Sequence, residues 1–194
     1  MSDSTVWLGL AAALLFFWGV GAHNRLVRLR AAVVSAFAAL DEQLVRQQVW
    51  VQGCLPEPLR GGMQTLPGEP QDEVAHAWGR LQAASEQFAA ALARARAQPV
   101  DVQSMAGLVM AHEALRTAWA GTLADAVPAD AVPSAERLQA RWMRLLHQSL
   151  PLRTAFNDAA QTYNQAITQF PASLLARLFG FKAAGTVTRL AEGR

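Results

Sequence analysis

Ser4 to Asn24 contain no Asp, Glu, Lys or Arg, and most of them are apolar. No other stretch of the 194 residues limits the fold as tightly. A helix of about 20 such residues, rising 1.5 Å per residue, spans roughly the 30 Å hydrocarbon core of a bilayer. The anchoring side chains are Trp7, Leu10, Leu14, Phe16, Phe17 and Trp18. Trp7 and Trp18 lie near the two ends, where indole suits the headgroup boundary. A cleaved signal peptide is the competing reading, with Val20-Gly21-Ala22 as its small-residue site. Signal peptides open on a basic region, whereas this chain opens Met-Ser-Asp-Ser. The segment therefore reads as a retained transmembrane helix over 5–22 behind a short extracytoplasmic stretch, 1–4. A buried core helix is the remaining alternative.

The flanks give this helix a direction. Asp3 precedes it, and Arg25, Arg28 and Arg30 follow it with no acid before Asp41. Basic flanks stay cytoplasmic, which predicts a single-pass inner-membrane protein with the N-terminus outside and the long C-terminal part in the cytoplasm. The opposite orientation is the alternative. The formal net charge of +2 has the same origin. Asp3 and the three arginines supply all of it, and the remaining acids and bases cancel. The basic balance is thus a topology signal and not a nucleic-acid footprint.

Beyond residue 25 no segment alternates with a period of two, and helical spacing dominates. Leu26, Leu29, Val33, Phe37, Leu40, Leu44 and Val51 form one stripe. No breaker separates that stripe from the membrane segment, so one helix leaves the bilayer and runs on to about Gly53. Prolines and glycines over about 53–71 predict a loop long enough to be mobile. A second helix is expected over about 72–98 and a third after Asp101 as cap, reaching about Leu123. A fourth, capped by Ser134, follows the seam Leu138, Trp142, Leu145, Ser149, Leu152, Phe156, Ala159, Tyr163, Ala166 and Phe170. Its steps of four and three are those of helices packing knobs into holes. Pro151 lies between seam positions and reads as a kink; Pro171 reads as the end.

Four such helices predict an all-α, up-down-up-down antiparallel bundle over 23–171, continuous with the membrane helix. The parity of the turns returns Pro171 to the membrane side. An amphipathic tail, 172–194, follows. Its Leu174, Leu175, Leu178 and Phe179 lie beside Arg177 and Lys182. Two fates are open to it: the membrane interface, with the cations toward lipid phosphate, or folding back onto the bundle base. Folding back is the commoner fate of such residues.

These segments together resemble the LemA family. Its Tyr-Asn-x-Leu-Val-x-Leu-Arg segment is matched by His23-Asn24-Arg25-Leu26-Val27-Arg28-Leu29-Arg30. Its Ile-Asp-x-Gln-Leu-x-Arg-Arg run is matched by Leu40-Asp41-Glu42-Gln43-Leu44-Val45-Arg46-Gln47. Near the other end stand Phe156-Asn157-Asp158, Tyr163-Asn164, Phe170-Pro171 and Leu178-Phe179-Gly180-Phe181-Lys182. The middle departs from the family pattern: Gly53 to Pro70 breaks the first helix early, and the stretch Leu146 to Ser149 is not family-like. The family's terminal aromatic pair is replaced around Thr186-Val187. The resemblance implies an all-helical, membrane-anchored protein. It carries associations with magnetosome membrane formation and with membrane metalloproteases of stress response, but no catalytic residues. Asn157 and Asn164, seven apart, occupy equivalent sites beside the seam, and Asn24 starts the bundle near the same end. Two readings are open for these amides: hydrogen bonds that bridge the first and fourth helices, or solvated asparagines on a helix face.

Catalytic chemistry has little to work with. His112-Glu113-Ala114-Leu115-Arg116 opens like a zinc-binding His-Glu-x-x-His segment but ends in Arg. His112 reads as a histidine at the core edge, Cys54 as an inert thiol, and most of the Trp residues as core. No cofactor, metal or small-molecule substrate is expected. The expected function is a non-enzymatic membrane-anchored scaffold or adaptor, binding another membrane or cytoplasmic protein or itself as a homo-oligomer. The alternatives are a membrane-shaping oligomer and an accessory factor of a membrane metalloprotease.

Overall fold

The computed structural model describes residues 3–60, 73–125, 132–170 and 172–187. Every regular element among them is helical. The order is α1 (Asp3–Cys54), α2 (Glu57–Arg60), α3 (Glu73–Ala97), α4 (Val102–Asp125), α5 (Val132–Thr168) and α6 (Ala172–Leu178).

α1 is one helix of 52 residues, roughly 78 Å long at 1.5 Å per residue. It ends at Cys54, where the run of prolines and glycines begins. Its first part is apolar enough to cross a membrane, and none of the side chains in that apolar window is buried in the molecule. From Leu26 onward the same helix buries the expected stripe: Leu26, Val33, Phe37, Leu40, Leu44 and Val51. The change from exposed to buried happens without a break in the helix.

α1 packs mainly on α5, and α3 mainly on α4. Leu26 clusters with Ala166, Phe37 meets Phe156 with ring centroids 5.8 Å apart, and Trp50 stacks on Trp142 at 5.9 Å. The rising and falling numbers make α1 and α5 antiparallel. α3 and α4 run antiparallel as well. Thr122 Oγ1 on α4 donates to the Ala77 carbonyl, while the Phe88 and His112 rings meet at 5.5 Å. An ion pair between Arg96 and Asp41, 2.8 Å, ties α3 to α1. The expected bundle is therefore present. Its far end is closed by three indoles, Trp50, Trp119 and Trp142, with Trp50 and Trp119 only 4.7 Å apart.

Local chemistry explains the helix ends. Asp101 Oδ2 accepts from the Ser104 N–H at 2.7 Å, a side-chain cap for α4. This bond holds the Asp101 carboxyl below the usual carboxylate range. Ser134 does not cap α5, which starts at Val132 and carries Ser134 within its first turn. Pro is tolerated there, because first-turn N–H groups have no partner inside the helix. Pro151 sits inside α5, and the helix continues through it as the unbroken seam requires. The stretch after α1 is less loop-like than its composition suggests. Leu55 is buried in the core, and Glu57–Arg60 form a turn of helix, with the Leu59 N–H bonding the Pro56 carbonyl at 3.0 Å.

Candidate functional site

The family-type residues converge on the end of the bundle nearest the apolar part of α1. α6 packs there against both α1 and α5, with Ala176 buried against Leu26 and Ala166. α6 stops in a Schellman motif. The Phe181 N–H reaches back to the Ala176 carbonyl at 2.9 Å, and Gly180 takes φ +69°. A side chain at that φ costs strain that glycine avoids, which gives the Gly of Leu-Phe-Gly-Phe-Lys its physical role. Phe181 then turns inward, its ring centroid 5.7 Å from that of His23.

Residues 182–187 run extended along α5, and the two asparagines hold them. Asn164 pairs with the backbone of Ala184 in both directions. Its Nδ2 donates to the carbonyl at 2.9 Å, and its Oδ1 accepts the N–H at 2.7 Å. Asn157 Oδ1 accepts the Val187 N–H at 2.8 Å. Seven helical residues rise about 10.5 Å, close to the span of three extended residues at about 3.3 Å each. The seven-residue spacing of the asparagines thus matches the three-residue spacing of the backbone groups they hold. Tyr163 is buried, and its hydroxyl donates to the Lys182 carbonyl at 3.0 Å. Burial pushes its phenol above the ordinary value, so it stays a donor. On the other side the Gly185 N–H donates to Val100 at 3.1 Å. A Cβ at Gly185 would lie 2.8 Å from Met105 Cβ and 2.9 Å from Val102 Cα. Only glycine fits between the segment and the start of α4.

This arrangement corrects the reading of an amide bridge between helices. Asn24 is exposed, and Asn157 and Asn164 spend their amides on the C-terminal backbone. A long-range backbone partner in an unpatterned stretch gives no periodic signal. The small residues Ala183, Ala184 and Gly185 were the available clue. Val187 is fully buried and plugs the core at the end of the held segment. The seam expectation fails at Phe170, which is 87% exposed beyond the end of α5. Pro171 and the side chain of Asp3 lie outside the described residues.

The other expected positions divide by role. Trp7, Leu10, Leu14, Phe16, Phe17 and Trp18 all point outward, as does Val27. Arg25, Arg28 and Arg30 are exposed, as is Asp158, while Leu29 is half-buried. Leu26 and Leu44 are core, and Asp41 makes the ion pair to Arg96. Gln43 is buried, and its Nε2 donates to the Leu145 carbonyl at 3.1 Å, as does that of Gln47. Gln47 Oε1 then accepts from His112 Nε2 at 2.9 Å, which assigns the ring proton to Nε2. His112 Nδ1 is buried without a partner. Burial first, then the nearby Arg116 and Arg153, push the His112 pKa down to about 3. A neutral, fixed imidazole at the centre of the bundle is a packing element.

Two open concavities among the described residues are of a size to take a partner or ligand. A cleft of about 780 Å³ opens between Arg30, Tyr163, Phe179 and the start of α4. A groove of about 1090 Å³ between α3 and α4 is floored by Ala84, Ala114, Ala118 and Gly121, with Met110 exposed beside it. Among the described residues no group of three or more His, Cys, Asp or Glu is placed to hold a metal.

A model of the LemA family matches residues 81–192, more than half of the chain. The match runs through the middle stretch, including Leu146 to Pro151, and takes in Asn157, Tyr163, Asn164, Gly180 and Phe181. Neither the curated proteins nor the solved structures contain a significant match.

Proposed function

Since the chain belongs to the LemA family, we propose that it is a non-enzymatic scaffold or adaptor, anchored in the inner membrane with its bundle in the cytoplasm. The observation that carries this reading is α1. One uninterrupted helix is lipid-compatible and unpacked at its start and core-forming after Leu26. A bundle built around the extension of its own anchor cannot swivel as a tethered domain would. It presents its faces at fixed height and angle from the bilayer, which suits a protein that positions others. LemA is not known as an enzyme family, and the buried amides of the bundle are spent on structure: Gln43 and Gln47 both donate to the Leu145 carbonyl, and Gln47 accepts from His112. The α3–α4 groove is the place to probe for a polypeptide partner, since small residues let a neighbouring helix approach closely.

Capture of the full-length chain from mild detergent, followed by mass spectrometry, tests the reading. The expected result is a second polypeptide at fixed stoichiometry that Ala114→Arg in the groove removes without unfolding the bundle. Recovery of this chain alone as a defined oligomer would replace the adaptor by a self-assembling scaffold. A bare monomer in every mild detergent would overturn both. The membrane-shaping alternative rests on a separate observation, the outward apolar side chains of α6.

A further inference from the structure

α6 buries one side and exposes another that is just as apolar. Ala176 is buried and Leu175 half-buried against α1 and α5, while Leu174 is 68% and Leu178 75% exposed. These two leucines are four apart and share a face. Phe179, 56% exposed, extends the face on one side, and Phe170, 87% exposed, lies just before the helix. Four large apolar side chains grouped in this way are unusual for a water-facing surface.

Their position says what covers them. Phe170 and Ala172 lie beside Trp18, Gly21 and Ala22, at the end of the apolar part of α1. The patch therefore continues the lipid-facing surface of α1 sideways, at the level where that helix leaves the hydrocarbon. Charge agrees with this. Residues 18–30 and 164–187 carry Arg25, Arg28, Arg30, Arg177 and Lys182 and not a single Asp or Glu. Apolar side chains next to cations free of acids match the layered chemistry of a headgroup region above acyl chains.

We propose that α6, with Phe170 and Phe179, seats the base of the bundle in the lipid interface, the apolar side chains entering the acyl boundary and Arg177 facing anionic headgroups. The seat rests on the reading of α1 as a membrane anchor and adds a second attachment point to it. Two points fix the bundle against tilting on the bilayer, and the asparagine-held segment 182–187 locks the seat to α5.

Fluorescent labels on single cysteines in the full-length chain, reconstituted in vesicles, test it. Cys54→Ser provides the background, with cysteines at Leu174, Leu178, Leu14 and Val49. Val49 is exposed and lies roughly 35 Å further along α1 than Leu26. Labels at 174 and 178 are expected to be quenched by spin-labelled lipid several-fold more than the label at 49, with blue-shifted emission. Anionic lipid should strengthen the effect. Quenching of 174 and 178 by aqueous iodide to the level of 49 would overturn the seat. So would protection from both quenchers, the mark of a second copy or another protein on this face. The label at 14 separates the two failures. Lipid quenching at 14 without quenching at 174 and 178 refutes the seat alone, and absence of quenching at 14 refutes the anchor and the seat together.

Discussion

Asn164 shows how far a single residue's role follows from its partner. Its amide holds both backbone groups of Ala184, so Asn164→Ala removes two hydrogen bonds and leaves partly buried backbone groups unpaired. The expected cost is about 1–3 kcal/mol, felt mainly by the tail. Hydrogen exchange at the Ala184 amide and limited proteolysis within 182–187 measure it. Asn24→Ala should change stability by less than about 0.5 kcal/mol, as for an exposed residue without a role in packing. Comparable losses at both sites would restore the interhelical bridge that the spacing alone suggests. His112 supports a second prediction. Its folded pKa is about 3 against an ordinary 6.5. Between those values the unfolded chain binds a proton that the folded chain refuses. Stability is therefore fully present above 6.5 and falls as pH drops toward 3. Relative to His112→Gln, the native chain should lose about 2 kcal/mol between pH 7 and pH 5, read from urea unfolding in detergent at each pH. Equal pH slopes for the two proteins would contradict the buried neutral ring. The identity of both residues as notable was legible in the sequence, from motif and stripe. Their partners were not, because Ala184 and Gln47 are brought to them by tertiary packing and follow no local rule.

Elements were more legible than partners, since helical period reports burial over many residues at once. The stripe from Leu26 to Val51 and the seam from Trp142 to Ala166 are buried nearly as spaced. Phe170 marks the limit of this reasoning. Period extrapolates a helix past its end, while the proline at 171 disfavours helical backbone in the residue before it. The chain leaves the seam there, and the apolar ring faces outward. α6 was likewise readable as amphipathic but not as two-faced, because its inner face is made of alanines whose burial depends on the close approach of Leu26. The element that matters most for the proposed function is α1, and its continuity can be broken deliberately. Val27 is exposed within the helix just past the apolar segment. Val27→Pro deletes a backbone hydrogen bond and clashes with the preceding turn, a local cost of about 3 kcal/mol or more. In vesicles, amides over 22–32 should be protected from hydrogen exchange in the native chain and exchange readily in the variant, while the α3–α4 amides keep their protection. Fast exchange over 22–32 in the native chain would mean a hinge between anchor and bundle and would remove the fixed presentation on which the scaffold reading depends.

At the scale of the whole molecule, charge and shape point to the same end of the bundle. The apolar part of α1 ends among Arg25, Arg28 and Arg30, α5 returns to that end, and α6 adds Arg177 close by. Outside Asp3 and Arg25, Arg28 and Arg30 the acids and bases of the chain balance in number, and no acid stands among the cations of residues 18–30 and 164–187, so this cluster dominates the local field. Insertion machinery reads short basic flanks, and moving such a flank across the membrane is disfavoured. Folding reads the same cluster later, when anionic headgroups attract it with about 1 kcal/mol per cation near the surface. The two effects have the same sign only if the bundle lies on the cytoplasmic side, where anionic lipid and retained positive charge coincide. A C-terminal tag should therefore resist protease added to intact spheroplasts and be digested after lysis. Replacing Arg25, Arg28 and Arg30 together by Ser removes the flank while leaving helix and core residues in place, and a fraction of the tags should then become accessible before lysis. Digestion of the native tag in intact spheroplasts would place the bundle outside. Full protection of the triple variant would show that the cytoplasmic domain, and not the arginine flank, sets the orientation.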